Sequence, residues 1–246
     1  MTVSYIRSLT ATRRAPRADL HLGGILAFVA GAANAGAFLA VGQYTSHMTG
    51  VVSAMADAVV LGHMPLVWLG LGSLLSFLAG AATTAVLVNF ARRRDLASAF
   101  ALPLILESAL LLAFGLLGLQ MRNLQTVVVP LTVVLLCFTM GLQNAVITKL
   151  SGAVIRTTHV TGIVTDLGIE LGKLAYWNRS RRDPGFAVLA DRERMRVLAA
   201  LLVAFFGGGV LGAIGFGALG YSATIPLALG LLAIGLVPAI DDLRGR

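Results

Sequence analysis

Two copies of one nine-residue segment contain the side chains of this chain that are best suited to chemistry. The first copy, residues 45–53, reads TSHMTGVVS, and the second, residues 157–165, reads TTHVTGIVT. Each copy supplies one histidine, His47 or His159, followed two residues later by a Thr-Gly pair. Histidine titrates near neutral pH and can move a proton, accept a hydrogen bond from a ligand or hold a metal. This repeated segment, called the signature below, is therefore the first candidate for a functional site.

The sequence leaves a second role open for each signature histidine, namely packing between helices with a hydrogen bond across their interface. The other two histidines, His21 and His63, have no counterpart in the opposite half of the chain. A metal site of two histidines is the weaker hypothesis, because no matched carboxylate or cysteine completes it. We therefore expect neither a metal nor a cofactor.

An asparagine precedes each signature in the pattern Gly-x-x-Asn-Ala, at residues 31–35 and 141–145. Asn34 and Asn144 lie within apolar runs, where an unpaired amide is costly, so each should have a hydrogen-bonding partner. We expect them either to join helices or to support the site.

A short apolar segment follows each signature, and its start predicts a polar environment. Thr49 and Thr161 precede glycine there, and threonine is a competent N-cap. A helix that begins at these residues directs its free N–H groups and its positive dipole end toward the signature, which favours an anion or a carbonyl oxygen. The predicted solute-binding residues are His47, Thr49, Gly50, His159, Thr161 and Gly162, with Asn34 and Asn144.

Four acidic residues stand in apolar or short segments, where a charge is costly and marks a functional candidate. They are Asp57, Glu107, Asp166 and Glu170. Burial would favour the neutral form of Glu107, so we take it as the candidate for proton coupling. Asp166 and Glu170 share a helix face and could instead pair with Lys173 at the inner surface.

The composition indicates an integral membrane protein. Apolar residues make up 57% of the chain and charged residues 12%, whereas about a quarter of the residues in a soluble domain are charged. The net charge of +8 does not indicate nucleic acid as a partner, because the basic residues fall in gaps between apolar runs, as topology signals do.

The lengths of the apolar runs give two models of the membrane topology. Six runs approach the roughly 20 residues that a spanning helix needs, at 22–40, 66–90, 101–119, 126–147, 197–217 and 222–240. The segments after the signatures, 49–61 and 161–175, are short for a span. The chain therefore has either six spans with two short helices or eight spans.

The distribution of positive charge favours six spans. With an internal N-terminus, six spans place 18 of the 19 Lys and Arg residues inside, whereas eight spans place 14 there. The predicted fold is an all-α membrane protein in which the two short helices are re-entrant or broken; the alternative that they lie in the membrane interface is left open. The predicted parts are a cytoplasmic basic segment (1–19), a first repeat (20–120), a second repeat (121–241) with a basic cytoplasmic connection (177–196), and a tail (242–246).

Three crossings in each half place the second repeat upside down relative to the first, which is a recurring plan of secondary transporters. We therefore predict a transporter of a small polar or anionic solute, with both termini cytoplasmic. A channel built from two half-helices and a sensor or scaffold remain open. No phosphate-binding loop, nucleophile elbow or zinc spacing is present, so we expect no enzyme. The expected partners are the lipid bilayer and the solute, without nucleic acid; a homo-oligomer is left open.

The two motifs also carry a resemblance to a known family. GxxNA at 31–35 and SHMTG at 46–50, with MGLQNA at 140–145 and TTHVTG at 157–162, resemble the YoaK family of bacterial membrane proteins. The resemblance extends over nearly the whole chain from about residue 20. The family often has Asp where this chain has Asn34, and Asn where it has Val51. Because the family is of unknown function, the resemblance implies a polytopic inner-membrane protein and no catalytic residues.

Overall fold

The computed structural model describes residues 5, 9, 16–96, 98–120, 125–150, 158–176 and 188–244, which leaves Thr157 of the second signature outside the described residues. Within these ranges the chain forms eight α-helices, with a short 3-10 turn at Gly220–Ala223 before the last one. The helices are α1 Pro16–Val41, α2 Met48–Val60, α3 Met64–Arg93, α4 Ala101–Gln120, α5 Gln125–Leu150, α6 Val160–Ala175, α7 Arg192–Leu219 and α8 Thr224–Leu243.

Each of the six long apolar runs and both short segments form a helix, so the all-helical class is confirmed. Helix α1 begins at Pro16, six residues before the predicted run, and α7 begins at Arg192, five residues before its predicted run and inside the predicted basic connection. Helix α7 starts there because Asp191 is its N-cap and its carboxylate accepts a hydrogen bond of 2.9 Å from the backbone N–H of Arg194. Residues 177–187 of the same connection lie outside the described ranges.

Among the described residues, five apolar helical stretches are long enough to cross a membrane: Leu20–Val41, Met64–Arg93, Ala101–Gly118, Val127–Lys149 and Arg192–Asp242. The last stretch has 51 residues and contains α7, the 3-10 turn and α8. The chain is accordingly a multi-pass membrane protein.

Four of the long helices contain the pattern Phe-x-x-Gly, and these helices pack in two pairs through it. The pattern occurs at 28–31 in α1, 77–80 in α3, 138–141 in α5 and 205–208 in α7. In each pair, the glycine of one helix lies directly against the carbonyl oxygen of the phenylalanine in the other, reciprocally, so that no Cβ would fit. Helix α1 pairs with α7 in this way and α3 with α5, so the same close approach occurs in both halves of the chain.

The contacts also give the relative directions of the paired helices. In α3 and α5, Ser76 bonds the carbonyl of Val134 at 2.6 Å and Thr84 bonds that of Leu142 at 2.8 Å, so the two helices are parallel. In α1 and α7, glycines 31 and 36 lie against Phe205 and Phe216 respectively, and this pair is also parallel.

Helices α4 and α8 are antiparallel. The backbone N–H of Ser98, just before α4, bonds Asp242 near the end of α8 at 3.1 Å, whereas Gly118 near the end of α4 lies against the ring of Tyr221, just before α8. Between these ends, the hydroxyl of Ser108 bonds the carbonyl of Ala228 at 2.7 Å.

Each short helix packs against the long helix that follows it, α2 against α3 and α6 against α7. Helix α2 joins α3 through residues 61–63, where Gly62 has a positive φ of 73° that closes the turn. Helix α2 buries only Ala58, and α6 buries Ile163 and Glu170. The short helices therefore lie at the edge of the helical core, where their first residues are open to contact.

Candidate functional site

Both short helices begin immediately after the signature histidine. His47 has φ −96° and ψ 69° and is the N-cap of α2, and His159 has φ −86° and ψ 56° and is the N-cap of α6. The carbonyls of these histidines accept the first helical hydrogen bonds, from the N–H groups of Val51 and Ile163. The prediction that Thr49 and Thr161 are the N-caps is therefore wrong, because the chain already turns into the helix at the histidine.

Neither histidine side chain makes a capping hydrogen bond to its own helix. An N-cap side chain ordinarily accepts a bond from an N–H group of the first turn, so the first turns of α2 and α6 lack that usual partner. The positive end of each helix dipole lies at the same place. Each helix start can therefore offer N–H donors to a solute.

The two asparagines fix the position of these helix starts. Asn34 donates from Nδ2 to the hydroxyl of Ser46 at 2.6 Å, and Asn144 accepts at Oδ1 from the hydroxyl of Thr158 at 2.5 Å. The bonded hydroxyl belongs in each case to the residue just before the signature histidine. The two halves therefore place an asparagine against the same position of the signature. The asparagines thus have partners, as expected, and they support the signature instead of joining two long helices.

The bond between Asn34 and Ser46 places the start of α2 beside the interior of α1 and not beside its end. Asn34 lies seven residues before Val41, the last residue of α1, which corresponds to about 10 Å along the helix axis. The segment 42–47 therefore folds back along α1 before α2 begins, as a helix that starts inside the membrane would require.

Residues of both signatures line a single cavity of about 1180 Å³. Six of the predicted solute-binding residues contribute to its wall: Asn34, His47, Thr49, Asn144, His159 and Thr161. Both histidines and both threonines are exposed, and both asparagines form part of the same wall. The structure thus brings the two signatures to one cavity from the two halves of the chain.

Two predicted solute-binding residues, Gly50 and Gly162, do not belong to the cavity wall. Each instead lies beside the imidazole ring of its own signature histidine: a Cβ on Gly162 would be 2.6 Å from Nδ1 of His159, and one on Gly50 would be 3.0 Å from Nε2 of His47. Their position therefore indicates contact with the histidine, not with a solute.

The proton-coupling candidate, Glu107, also lies away from the cavity wall. It is fully buried in α4, and among the described residues neither of its carboxylate oxygens has a hydrogen-bonding partner. The structure does not bring Glu107 together with the histidines.

Aromatic side chains form much of the remaining wall, and none of them was among the predicted site residues. Phe38 comes from α1, Phe77 from α3, and Phe205 and Phe206 from α7. Phe77 and Phe205 belong to the Phe-x-x-Gly pattern, whose fourfold repetition was a usable signal. The described part of the wall contains the two histidines but no Asp, Glu, Lys or Arg.

Helix α5 also contacts α1 through Gln143, the neighbour of Asn144. Gln143 donates from Nε2 to the carbonyl of Leu26 at 3.1 Å. Leu26 precedes Asn34 by eight residues in α1, which corresponds to about 12 Å along the helix axis. The bond from α5 therefore reaches α1 at a different level from Asn34.

Ionic contacts attach α6 to the start of α7. Glu170 is buried and accepts bonds of 2.8 Å from the ammonium of Lys173 and from the backbone N–H of Asp191. Asp166 pairs with Arg194 at 2.8 Å. The bonds from Lys173 and Asp191 hold the pKa of the Glu170 carboxyl below its usual value. The expected pairing of Glu170 with Lys173 is present, whereas Asp166 pairs across to α7.

Among the residues that the structure describes, no group of three or more His, Cys, Asp or Glu side chains could hold a metal ion. The one cysteine, Cys137, is buried.

A family model described as "Protein of unknown function (DUF1275)" matches residues 22–237. This range contains both signatures, both asparagines and Glu107. Comparison with curated proteins and with solved structures found no match.

Proposed function

The chain belongs to the DUF1275 family of proteins of unknown function, and from the geometry of the cavity we propose that it is a secondary transporter of a small polar or anionic solute. The family match agrees with the membrane family of unknown function that the sequence resembles, while the name YoaK rests on the resemblance alone. The proposed solute site is the cavity between the two signatures.

One observation carries this proposal: the two copies of the signature, from opposite halves of the chain, line the same cavity. If each histidine only packed between two helices, the two signatures would not need to line one cavity. A common cavity with two helix starts, two imidazoles and paired hydroxyl groups is instead the arrangement expected of a solute site between repeats.

Helix directions support six crossings and an inverted repeat. With six crossings, α1, α4 and α7 run one way through the membrane, and α3, α5 and α8 run the other way. The parallel pairs α1 with α7 and α3 with α5, and the antiparallel pair α4 with α8, agree with this arrangement. With eight crossings α4 and α8 would run the same way, contrary to their contacts.

The length of the last apolar stretch supports the same topology. Its 51 residues are far more than the roughly 20 that one crossing needs, and Gly220, with φ 60°, interrupts them between α7 and α8. Counting this stretch as two crossings gives six. Together with the charge distribution, this leads us to propose cytoplasmic termini in the bacterial inner membrane.

The wall chemistry supports the solute class. Hydroxyl groups, amides, imidazoles and helix N-termini can all donate hydrogen bonds, and a wall without carboxylates does not repel an anion. Nothing in this wall requires a covalent intermediate, so we propose transport without an enzymatic step. Glu107 is proposed as the proton-coupling residue, because it is a buried carboxyl within a long apolar helix and has no hydrogen-bonding partner among the described residues.

The proposal is tested by flux into proteoliposomes. The probes are acetate, lactate, inorganic phosphate and glycerol, each measured with and without a pH gradient. The variant replaces both signature histidines with alanine. Its matched control is His63→Ala, because His63 is also an exposed helix N-cap with similar torsions, φ −86° and ψ 64°, but does not line the cavity.

We expect saturable flux of at least one probe, driven by the pH gradient, in the wild type and in His63→Ala, and its loss in the double variant. Flux that neither saturates nor responds to the gradient would favour a channel through the same cavity. Flux that is unchanged in the double variant would contradict a role for the signatures and favour a sensor or scaffold.

A further inference from the structure

Gly50 and Gly162 stand at the same place relative to the signature histidines. Each is the third residue of its short helix, three positions after the histidine N-cap. Residues three apart lie on the same side of a helix turn. The third position often holds a Glu or Gln whose side chain reaches back to the N-cap, but here it has no side chain at all.

The space above each glycine is filled by the histidine ring. A Cβ on Gly50 would lie 3.0 Å from Nε2 of His47 and closer still to Cδ2, and a Cβ on Gly162 would lie 2.6 Å from Nδ1 of His159. Both glycines have ordinary helical torsions, so an alanine could adopt the backbone conformation at either position. The glycine is therefore needed for the ring and not for the backbone.

We propose that Gly50 and Gly162 are positioning residues that hold the two imidazoles at the cavity. Without a Cβ beneath it, each ring rests on the first helical turn at the edge of the cavity. In this position the ring makes no capping bond, which leaves the N–H groups at the helix start free for a solute. The contribution to solute binding rests on the proposed function, whereas the position of the ring does not.

The chain contains a matched control for each of these two glycines. Helix α6 has two other glycines, Gly168 and Gly172, and no atom lies within 4 Å of a Cβ built on either. Replacement of any of these glycines by alanine raises helix propensity by a similar amount. Only Gly162→Ala, however, displaces a histidine ring. In the first half, Gly72→Ala in α3 is the corresponding open-space control for Gly50→Ala.

The experiment measures the rate at which each histidine reacts with diethyl pyrocarbonate in lipid nanodiscs, with the product at each residue quantified by mass spectrometry. No solute is present, so the result does not depend on whether the protein transports. Displacement of a side chain from its preferred rotamer changes the population of its original position by about threefold to tenfold. We therefore expect Gly162→Ala to change the rate at His159 by about that factor and to leave the rate at His47 unchanged. Gly50→Ala should do the reverse.

Equal rates at His159 in Gly162→Ala and in the wild type would overturn the proposal. An equal change in Gly168→Ala would also overturn it, because the effect would then come from helix propensity. Where flux of a probe has been found, its pH profile in Gly162→Ala should shift relative to Gly168→Ala. If the rates change as expected and no probe is transported, the positioning role stands and the proposed transport function fails.

Discussion

At the scale of single residues, each signature combines a histidine that is the N-cap of a short helix with a glycine that leaves room for the histidine ring. Repetition in the sequence was sufficient to identify His47 and His159, because two copies of a polar pattern stand out in an apolar chain. The part played by Gly50 and Gly162 could not be predicted in this way. Which atoms lie above a glycine depends on the rotamer of a neighbouring side chain, and the sequence does not specify it.

The glycines of the Phe-x-x-Gly pattern have a different task, which is to let two helices approach closely. Gly31→Ala should lower the stability of the fold by about 1–3 kcal/mol, because its Cβ would overlap the carbonyl oxygen of Phe205 and force α1 and α7 apart. The measurement is unfolding by sodium dodecyl sulfate in mixed micelles.

The matched control for this substitution is Gly207→Ala, since nothing lies within 4 Å of a Cβ at that position. It should leave the stability unchanged or raise it through helix propensity by up to about 1 kcal/mol. Equal effects of the two substitutions would show that the close approach at Gly31 does not hold the helices together.

At the scale of helices, length and hydropathy were sufficient to predict the six long helices and the two short ones. The N-caps of α2 and α6 were predicted two residues too late, because threonine is the commoner N-cap and the sequence gives no sign that the helices already begin after His47 and His159. The position at which each helix begins is set by the hydroxyl groups of Ser46 and Thr158, since their bonds to Asn34 and Asn144 fix where the chain turns.

The two short helices are attached to the following long helices by different means. Residues 61–63 join α2 and α3 directly, whereas α6 is attached to the start of α7 by the bonds of Glu170 to Lys173 and Asp191. At the position of Glu170, the first half has the buried Ala58. The α6 attachment therefore depends on a charge, and the α2 attachment does not.

This attachment predicts a pH dependence. Because the folded state lowers the pKa of Glu170, its bonds stabilise the fold at pH values above the unfolded pKa, and this stabilisation disappears as the pH falls through the folded pKa. The difference in thermal stability between the wild type and Glu170→Gln should thus be largest near pH 7 and should shrink on acidification.

The control for this prediction is Asp57→Asn, which removes an exposed carboxyl from α2. It should change the thermal stability little, because surface substitutions away from buried contacts usually have small effects. A stability difference for Glu170→Gln that grows as the pH falls would contradict the assigned sign.

At the scale of the whole molecule, charge counting predicted six crossings, and the helix directions agree with that number. The pairs that helices form could not be deduced from hydropathy, because an apolar helix in lipid has no single face that must be buried. The reciprocal contacts of Gly31 with Phe205 and of Gly141 with Phe77 supply this missing information.

The proposed topology places the α3–α4 and α7–α8 connections on opposite sides of the membrane. With eight crossings both connections would lie on the same side. A single cysteine is introduced at Arg94 or at Ser222, both of which are exposed, in a Cys137→Ala background. The labelling of this cysteine distinguishes the two cases. We expect a membrane-impermeant thiol reagent added outside whole cells to label Ser222→Cys but not Arg94→Cys. Labelling of both would exclude the six-crossing arrangement.

The central claim is that the two signatures form one site, and the distance between them in a bilayer tests it most directly. Spin labels at Thr49→Cys and Thr161→Cys, in the same Cys137→Ala background, report this distance by pulsed electron paramagnetic resonance. Both positions are exposed in the cavity wall, and neither replaces a histidine. Because Thr49 and Thr161 line the same cavity, we expect the label separation to centre near or below about 20 Å. A separation of about 30 Å or more, the full thickness of the hydrocarbon core, would place the signatures at opposite faces and contradict a shared site.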